Sequence, residues 1–219
     1  ANNRIFKNNV SQRRTMGLLG RVHYSLLGRY IVDLSIRRDA DSRFGSNNRW
    51  GNFPAASVKW IVTDEKFMEK AKPWLSELGV RVGYGVVGNT PNRDYLYYSR
   101  YNGDWGNYGN NYIDISTVKP TSVKLANLKW ETSTSKNIGV DMNLFNFKLN
   151  SDFNIYWKTT KDLLFDNQSI PGSSGFSSLD YINAGTMDNT GWEFNMSTNK
   201  LITTKDWTID FNLNFSNNI

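Results

Sequence analysis

The chain has 219 residues, of which 39% are hydrophobic and 21% are charged, with a formal net charge of +6 and no cysteine. The missing cysteine excludes a disulfide framework, a thiolate metal site and a cysteine nucleophile. There is no run of about 18 apolar residues, which excludes a transmembrane helix, and the basic residues are interleaved with acids, a pattern typical of solvated surface and not of a nucleic-acid-binding stripe.

Apolar and polar residues alternate strictly in several stretches, which is the pattern of a strand with one apolar face. The first predicted strand runs from Met16 to Leu26 and turns at Gly28 into the second. The apolar row of the second strand is Val32, Leu34 and Ile36. Two neighbouring strands with a tight turn predict a β-hairpin.

The third and fourth predicted strands are joined by the stretch "TDEKFMEKAKPWL". We predict one or two helical turns there, with Thr63 as the N-cap and Pro73 at the end. The fourth strand has Val82 and Tyr84 in its apolar row.

Four more strands are predicted in the second half of the chain, and the eighth is the stretch "DWTIDFNLNFSNN". Their apolar rows include Val140 in the fifth, Phe153 and Ile155 in the sixth, Phe194 in the seventh, and Ile209, Phe211 and Leu213 in the eighth. The polar rows are rich in Asn, Asp, Ser, Lys and Gly, which a water-filled interior accepts.

Compact connections alternate with long ones, which span about 39–53, 88–127 and 166–189. This order is typical of outer-membrane barrels, which have short periplasmic turns and long extracellular loops. We therefore predict an all-β fold, an antiparallel up-and-down transmembrane β-barrel segment of about eight strands whose apolar rows face lipid. Aromatic girdles are predicted where tryptophans lie near the inferred strand ends, at Trp60, Trp130, Trp157, Trp192 and Trp207.

The longest predicted loop contains "NRDYLYYSRYNGDWGNYGNNY", in which aromatic residues are interleaved with Asn, Asp and Gly. Aromatic faces stack on sugar rings and polar side chains bind hydroxyls, so this composition suits a glycan site. Packing of the loop onto its neighbours is the alternative. The candidates for contact with a substrate or a lid are Trp50, Tyr95, Tyr97, Tyr98, Tyr101, Trp105, Tyr108 and Tyr112.

Other site motifs were weighed against structural interpretations. "GYGVVG" matches the dinucleotide fingerprint, but turn residues follow it where a helix must begin. "DADSRFG" starts like a calcium loop, but Arg43 and Trp50 occupy ligand positions. His23 is the only histidine, and alternation places it on a polar face, where we expect a hydrogen-bonded residue and not a catalytic base. No cofactor or resident metal is expected, although a calcium ion elsewhere in the loops stays open.

Several ordered phrases resemble the SusC/RagA-type TonB-dependent outer-membrane transporters. They are "IRRDADSRFGSNNRWGNFPAASVKW", "RVGYGVVGN", "NLKWETSTSKNIGVDMNLF", "YWKTTKDLLF", "SGFSSLDYINAGTMDNTGWEFNM" and "NFSNN". The resemblance extends over nearly the whole chain and is weakest in the loop at 88–127. It implies that residues 1–219 form part of a barrel of about 22 strands. The family's plug domain has no counterpart in these residues, so we expect an interior piece of a longer protein.

The resemblance also implies a function. Transporters of this kind sit in the Gram-negative outer membrane and import oligosaccharides, or oligopeptides in RagA-like members. A SusD-like surface lipoprotein covers the barrel as a lid, and the TonB complex supplies energy through parts of the protein outside this sequence. No enzymatic step and no nucleic-acid partner is expected.

Two alternatives make different structural predictions. A secreted glycan-binding β-sandwich would bury its apolar rows in a protein core between two sheets. A self-contained eight-stranded barrel, an adhesin or an enzyme, would pair its first strand with its last.

Overall fold

The computed structural model describes residues 10–103, 111–112, 115–116 and 118–219. Strands dominate these residues, and the helical content is limited to short 3₁₀ turns. The strands are β1 (Thr15–Leu26), β2 (Tyr30–Asp41), β3 (Trp50–Ile61), β4 (Leu75–Asn89), β5 (Tyr101–Gly103), β6 (Asn111–Tyr112), β7 (Ile115–Ser116), β8 (Val118–Pro120), β9 (Glu131–Leu144), β10 (Leu149–Lys161), β11 (Leu164–Ser169), β12 (Ser178–Asn183), β13 (Thr186–Thr198), β14 (Ile202–Thr203), β15 (Thr208–Ile209) and β16 (Asn212–Asn218). No helix in the described part of the chain is long and apolar enough to cross a membrane.

One sheet of eight antiparallel strands organises the molecule, in the order β1-β2-β3-β4-β9-β10-β13-β16. The order follows the chain, so the sheet is an up-and-down meander. The remaining strands form two-stranded hairpins in the connections. Within the described ranges, β1 and β16 each have one partner and do not pair with each other, so the sheet stays open. The prediction of an all-β antiparallel barrel segment with eight long strands is confirmed.

The register places all the apolar rows on one face of the sheet. Residues directly opposite each other in an antiparallel pair point to the same side. One such row crosses the whole sheet and consists of Tyr24, Val32, Val58, Val82, Ile138, Ile155, Trp192 and Asn217. A second row is Val80, Val140, Phe153, Phe194 and Phe215.

This apolar face has no second layer of protein over it in the described residues. Val22 is 61% exposed, Val82 51% and Phe215 55%. Each square ångström of apolar surface left in water forgoes about 25 cal/mol of burial free energy. A sandwich would cover this face with a second sheet, and the eight strands form only one.

The turn between β1 and β2 requires a left-handed backbone. Leu27 has a φ of 55° and Gly28 a φ of 68°, and the Arg29 amide donates to the Leu26 carbonyl at 3.1 Å. Two successive positive φ values define the turn type whose twist matches a hairpin. The predicted hairpin is therefore present.

Two predicted elements differ in the structure. The one or two helical turns predicted between β3 and β4 are present as two 3₁₀ turns, Val62–Asp64 and Lys66–Met68. Thr63 is not a cap, because its hydroxyl accepts a hydrogen bond from the Leu78 amide at 3.3 Å. The predicted eighth strand is interrupted as well. Ile209 pairs with Ile202 in a separate hairpin, and the long strand begins only at Asn212.

The connection lengths also differ in detail. Because β2 and β3 extend beyond the predicted limits, their long predicted loop shrinks to 42–49, shorter than the 62–74 turn at the other end. The connections at 90–130 and 162–185 remain the long ones. Trp157 and Trp192 lie inside β10 and β13 and not at strand ends, and Trp130 packs into the loops, so the predicted girdle positions were wrong for these three residues.

Candidate functional site

The polar face of the sheet carries a network of charged side chains across several strands. Lys59 Nζ lies 2.9 Å from Glu77 Oε1 and 3.5 Å from Asp141 Oδ2. Arg81 Nη2 lies 2.9 Å from Asp141 Oδ1 and donates to Asn154 Oδ1 at 3.1 Å. Two cations and two carboxylates balance each other in this network, so it leaves a polar wall with little net charge.

Small residues let these long side chains lie flat on the sheet. A Cβ added to Gly83 would clash with Asn137 Oδ1, and one added to Gly139 would clash with Asn154 Oδ1. The glycines thus leave the space that neighbouring side chains occupy, as is common where another group approaches a strand closely. This explains the glycines of "GYGVVG", which lie in β4 with no helix after them.

Further along the same face, His23 Nδ1 lies 3.0 Å from Asp33 Oδ1, and Arg21 Nη2 lies 2.7 Å from the same oxygen. His23 is therefore a hydrogen-bonded residue of the polar face. A concavity of about 810 Å³ covers this region, and its lining includes Asp33, Arg81 and Tyr156. Its lining is mixed, because Leu19, Val58 and Val82 lie beside these polar residues.

The connections at 42–49, 90–130 and 162–185 share a hydrophobic core of their own beyond one end of the sheet. Phe44 is fully buried, and Leu96 is 1% exposed. The cluster consists of Phe44, Leu96, Leu128 and Tyr181, with Leu125, Trp130 and Leu164 packed against it. The ring centroids of Phe44 and Trp130 are 4.9 Å apart. Residues from three connections thus pack into one unit.

Polar contacts tie the same connections together. Arg43 Nε lies 2.8 Å from Asp94 Oδ1, and Arg93 Nη1 lies 3.0 Å from Asp180 Oδ1. The side-chain NH₂ of Asn183 donates to the Lys129 backbone carbonyl at 2.8 Å, and Asn183 Oδ1 accepts from the Lys129 backbone N–H at 2.8 Å. Because these bonds link distant segments, the loop core is fastened at several points of its edge.

Three of the predicted contact aromatics come together. Trp50, Tyr95 and Tyr97 line a cavity of about 550 Å³ between the loops and the ends of β1 to β3. Tyr97 and Tyr98 have ring centroids 4.2 Å apart, and a hydrogen bond with Tyr98 raises the pKa of Tyr97. Tyr101 is exposed in β5 and lies outside this cavity.

The other predicted contact residues do not join this group. Trp105 and Tyr108 lie outside the described residues, and Tyr112 is described only as part of β6. Trp50 opposes Ala40, so it belongs to the apolar face of the sheet and not to the polar face. The Arg38 guanidinium lies over the Trp50 ring, 4.9 Å from its centroid.

Packing of the long loop onto its neighbours was an alternative in the sequence interpretation, but the cluster that joins the three connections was not predicted. Phe44, Leu96 and Tyr181 are separated by long stretches of chain, and no two-residue or helical period joins them. The available signal was the presence of leucines at 96, 125 and 128 within otherwise polar loops. In the described part of the chain, no group of three or more His, Cys, Asp or Glu residues is placed to hold a metal ion.

The lipid-facing residues predicted from alternation occupy a common surface where they lie in the eight-stranded sheet. Val32, Leu34, Ile36, Val82, Tyr84, Val140, Phe153, Ile155, Phe194 and Leu213 are all in opposing register rows. Ile209 and Phe211 precede the last long strand and are not part of these rows. A meander with one polar wall, one bare apolar wall and packed loops at one end defines a segment of a membrane β-barrel.

Comparison with known proteins leads to the same class. Residues 1–218 match the family described as TonB dependent receptor-like, beta-barrel, and the chain belongs to this family. The β-barrels of this family are proteins of the outer membrane.

The chain is similar to individual members over most of its own length. It is 34% identical to TonB-dependent receptor SusC of Bacteroides thetaiotaomicron, an alignment that covers 95% of this chain and 21% of SusC. It is 35% identical to TonB-dependent receptor P39 of Formosa agariphila, over 92% of this chain and 19% of that protein. The chain thus spans about a fifth of the length of these relatives.

Solved structures of relatives have the same fold. The RagAB peptide importer in its 'open-open' state superposes with a TM-score of 0.81 at 29% identity, covering 94% of this chain and 22% of that one. The siderophore receptor PirA of Pseudomonas aeruginosa superposes with a TM-score of 0.59 at 17% identity, over 95% of this chain and 35% of that one, which is a likeness of fold alone.

Proposed function

We propose that the chain forms part of the barrel wall of a SusC-like importer in the Gram-negative outer membrane. The polar face lines the transport path, the apolar face meets lipid, and the packed loops form part of the outer chamber. The observation that carries the proposal is the register, which gathers every apolar row on one uncovered face. Barrel strands divide their residues between lipid and lumen in this way.

The imported cargo is proposed to be an oligosaccharide. Aromatic and amide side chains predominate at residues 92–112 of the loop after β4, and such side chains stack on sugar rings and bind hydroxyls. The chain contributes binding and positioning only, and no bond is made or broken. In this proposal a SusD-like lipoprotein covers the loops as a lid, and the TonB complex supplies the energy for import.

A peptide cargo is the second candidate, and a specific observation favours it. The solved structures of the RagAB peptide importer superpose on this chain with TM-scores of 0.80 and 0.81. Mass spectrometry of small molecules released from the purified full-length protein distinguishes the two, since a glycan and a peptide have different masses and fragments. Recovery of peptides alone overturns the oligosaccharide proposal.

Fluorescence quenching tests the membrane placement itself. Two variants of the full-length protein keep a single tryptophan each, Trp157 on the apolar face or Trp130 in the loop core. In bilayers of brominated lipid we expect strong quenching of Trp157 and little of Trp130. Equal, weak quenching of both would mean that protein covers the apolar face, as in a sandwich.

A further inference from the structure

A cavity lies where the apolar face of the sheet meets the loops. The outermost row of the apolar face consists of Met16, Ala40 and Trp50, paired across β1, β2 and β3. All three line the cavity of about 550 Å³, together with Tyr95 and Tyr97 from the loop. The cavity is therefore continuous with the surface that we place in lipid, at its outer edge.

The charges around this cavity are unbalanced. Its two carboxylates already have partners, since Arg13 Nε donates to Asp41 Oδ2 at 3.0 Å and Arg43 pairs with Asp94. Arg14 and Arg49 also line the cavity, and neither forms an ion pair within the described residues.

Arg49 shows the clearest deficit. Its Nε is buried and has no hydrogen-bond partner among the described residues. A buried charged donor without an acceptor is costly, and native structures usually supply one from a ligand, an ion or water. The buried Nε itself is out of reach of the cavity, so an anion there would compensate the charge of the guanidinium and not this one donor.

Charged residues elsewhere on the apolar face also lie close to the long loops. In the eight-stranded sheet the apolar rows contain Arg38, Lys136, Lys161 and Asp188. All four lie in the halves of their strands nearest the long loops, and three of them are cations. The rows near the short turns contain apolar and neutral polar residues. The loop-side rim of the apolar face is thus electropositive.

We propose that the cavity binds the phosphate-bearing headgroup of a lipid in the outer leaflet. Arg14 and Arg49 hold the phosphate, because guanidinium groups bind phosphate oxygens through paired N–H donors. The Trp50 ring lies at the headgroup level, where tryptophan is favoured. The acyl chains run along the exposed side chains of Leu18 and Ile36 below it. This inference rests on the outer-membrane placement proposed above.

A soluble cargo fits the cavity less well than a lipid. Trp50 and Met16 belong to the apolar face, whereas the transport path follows the polar face. On the polar face, a molecule in the path meets Thr15 and Asp41 of the cavity lining, whereas the aromatic and apolar residues Trp50 and Met16 lie on the other side of the sheet. A lipid reaches the cavity directly, by diffusion within its leaflet.

Native mass spectrometry of the full-length protein from lipid nanodiscs tests the proposal. The discs contain either phosphorylated lipid A or the same lipid without its phosphates. We expect the wild type to retain the phosphorylated form. The amount of this lipid bound to Arg14→Gln/Arg49→Gln should be lower by a factor of about ten or more. The dephosphorylated lipid should be retained weakly and equally by both proteins.

The matched control is Lys205→Gln, which removes one cation from an exposed turn at the opposite rim. It should retain phosphorylated lipid like the wild type. Equal loss in the control, or no loss in the double variant, overturns the site. Inorganic phosphate forms a third arm, and saturation of the cavity by phosphate alone overturns a lipid as the occupant.

Failure of the headgroup site can be distinguished from failure of the membrane placement. If the protein fails to insert into nanodiscs at all, the proposed function fails with it. If it inserts and Trp157 is quenched by brominated lipid while the double variant keeps its lipid, only the headgroup site is wrong.

Discussion

The Arg43 guanidinium lies 2.8 Å from the Asp94 carboxylate and so joins two loops across 51 positions of the chain. The Arg43 and Asp94 side chains are only 15% and 21% exposed, and Arg43 also donates to the Pro91 carbonyl. Removing one member of a desolvated pair leaves the other without compensation. This contact therefore restrains the loops more than an ion pair in water would.

Substituting Arg43→Gln should loosen the loop after β4. We expect the free energy of local opening to fall by about 1–3 kcal/mol. The cause is that a charge-assisted hydrogen bond is removed and the half-buried Asp94 carboxylate is left without its partner. Hydrogen exchange of the backbone amides at residues 90–100 measures this change, and the exchange rate should rise about tenfold for each 1.4 kcal/mol lost. The control is Arg37→Gln, whose pair with Asp39 involves an arginine that is 63% exposed. Similar exchange in both variants would contradict the special role of Arg43.

Phe44 is the centre of the loop core, and Phe44→Ala should separate the loops from one another. Truncating a fully buried phenylalanine costs about 3–5 kcal/mol through lost burial and a residual cavity. We expect rapid proteolysis within 90–130 and 162–185, while the eight-stranded sheet stays intact. Phe67→Ala truncates a ring that is 68% exposed and should leave the digestion pattern unchanged. An unchanged pattern in Phe44→Ala would show that the loops do not depend on this core.

The faces of the sheet were predictable from sequence because strand alternation is local. Val82, Ile138 and Ile155 alternate with polar neighbours in their own strands, and each ended on the common apolar face. Trp50 was harder to place, because its position relative to a loop depends on where β3 begins. The strand extends outward to Trp50 itself, which puts this ring on the apolar side.

Long-range packing accounts for what the sequence interpretation missed. Phe44 contacts Trp130 because two connections fold onto each other, and nothing in the local pattern at either residue indicates it. Thr63 lies where the sequence predicts an N-cap, but its hydroxyl accepts a hydrogen bond from the Leu78 backbone amide instead. Tertiary contacts of this kind override local propensity.

Gly191 should not tolerate a side chain. An added Cβ would lie 2.5 Å from the Asn217 carbonyl oxygen and 2.6 Å from the Tyr156 hydroxyl. Because the Asn217 oxygen belongs to the backbone of β16, Gly191→Ala should weaken the pairing of β13 with β16. At Gly20 the nearest atom, Ile36 Cγ2, is 3.8 Å away, so Gly20→Ala is the matched control. We expect a lower yield of heat-modifiable, folded barrel for Gly191→Ala alone, and equal yields would contradict the clash.

The two faces of β9 should respond differently to charge. Ile138→Arg puts a guanidinium on the apolar face, which costs about 2–4 kcal/mol near the bilayer midplane. Asn137→Arg makes the same change on the polar face, opposite Gly83, where water and space are available. We expect folded protein in the outer-membrane fraction to fall for Ile138→Arg and to persist for Asn137→Arg. Equal tolerance of both would contradict a lipid-facing apolar row.

Glu65 makes the turn between β3 and β4 sensitive to acid. Its carboxylate accepts hydrogen bonds from the Tyr30 hydroxyl and from Trp60 Nε1 at 3.2 Å, and Arg29 Nη1 lies 3.1 Å away. The Tyr30 bond is the largest cause of a lowered pKa at Glu65, followed in the same direction by the Trp60 bond and the attraction of Arg29. Each of these contacts favours the ionised carboxylate.

The sign of the pH effect follows from this lowered pKa. A carboxyl group with a lowered pKa in the folded state stabilises that state above its unfolded pKa of about 4.3, and loses the stabilisation as pH falls through the folded pKa. Hydrogen exchange at residues 62–74, corrected for the intrinsic rate, should therefore rise on acidification below about pH 4. Glu65→Gln should exchange faster at neutral pH and show no further rise, whereas Glu69→Gln, at an exposed position of the same turn, should keep the wild-type profile. A wild-type acid response that persists in Glu65→Gln would assign it to another group.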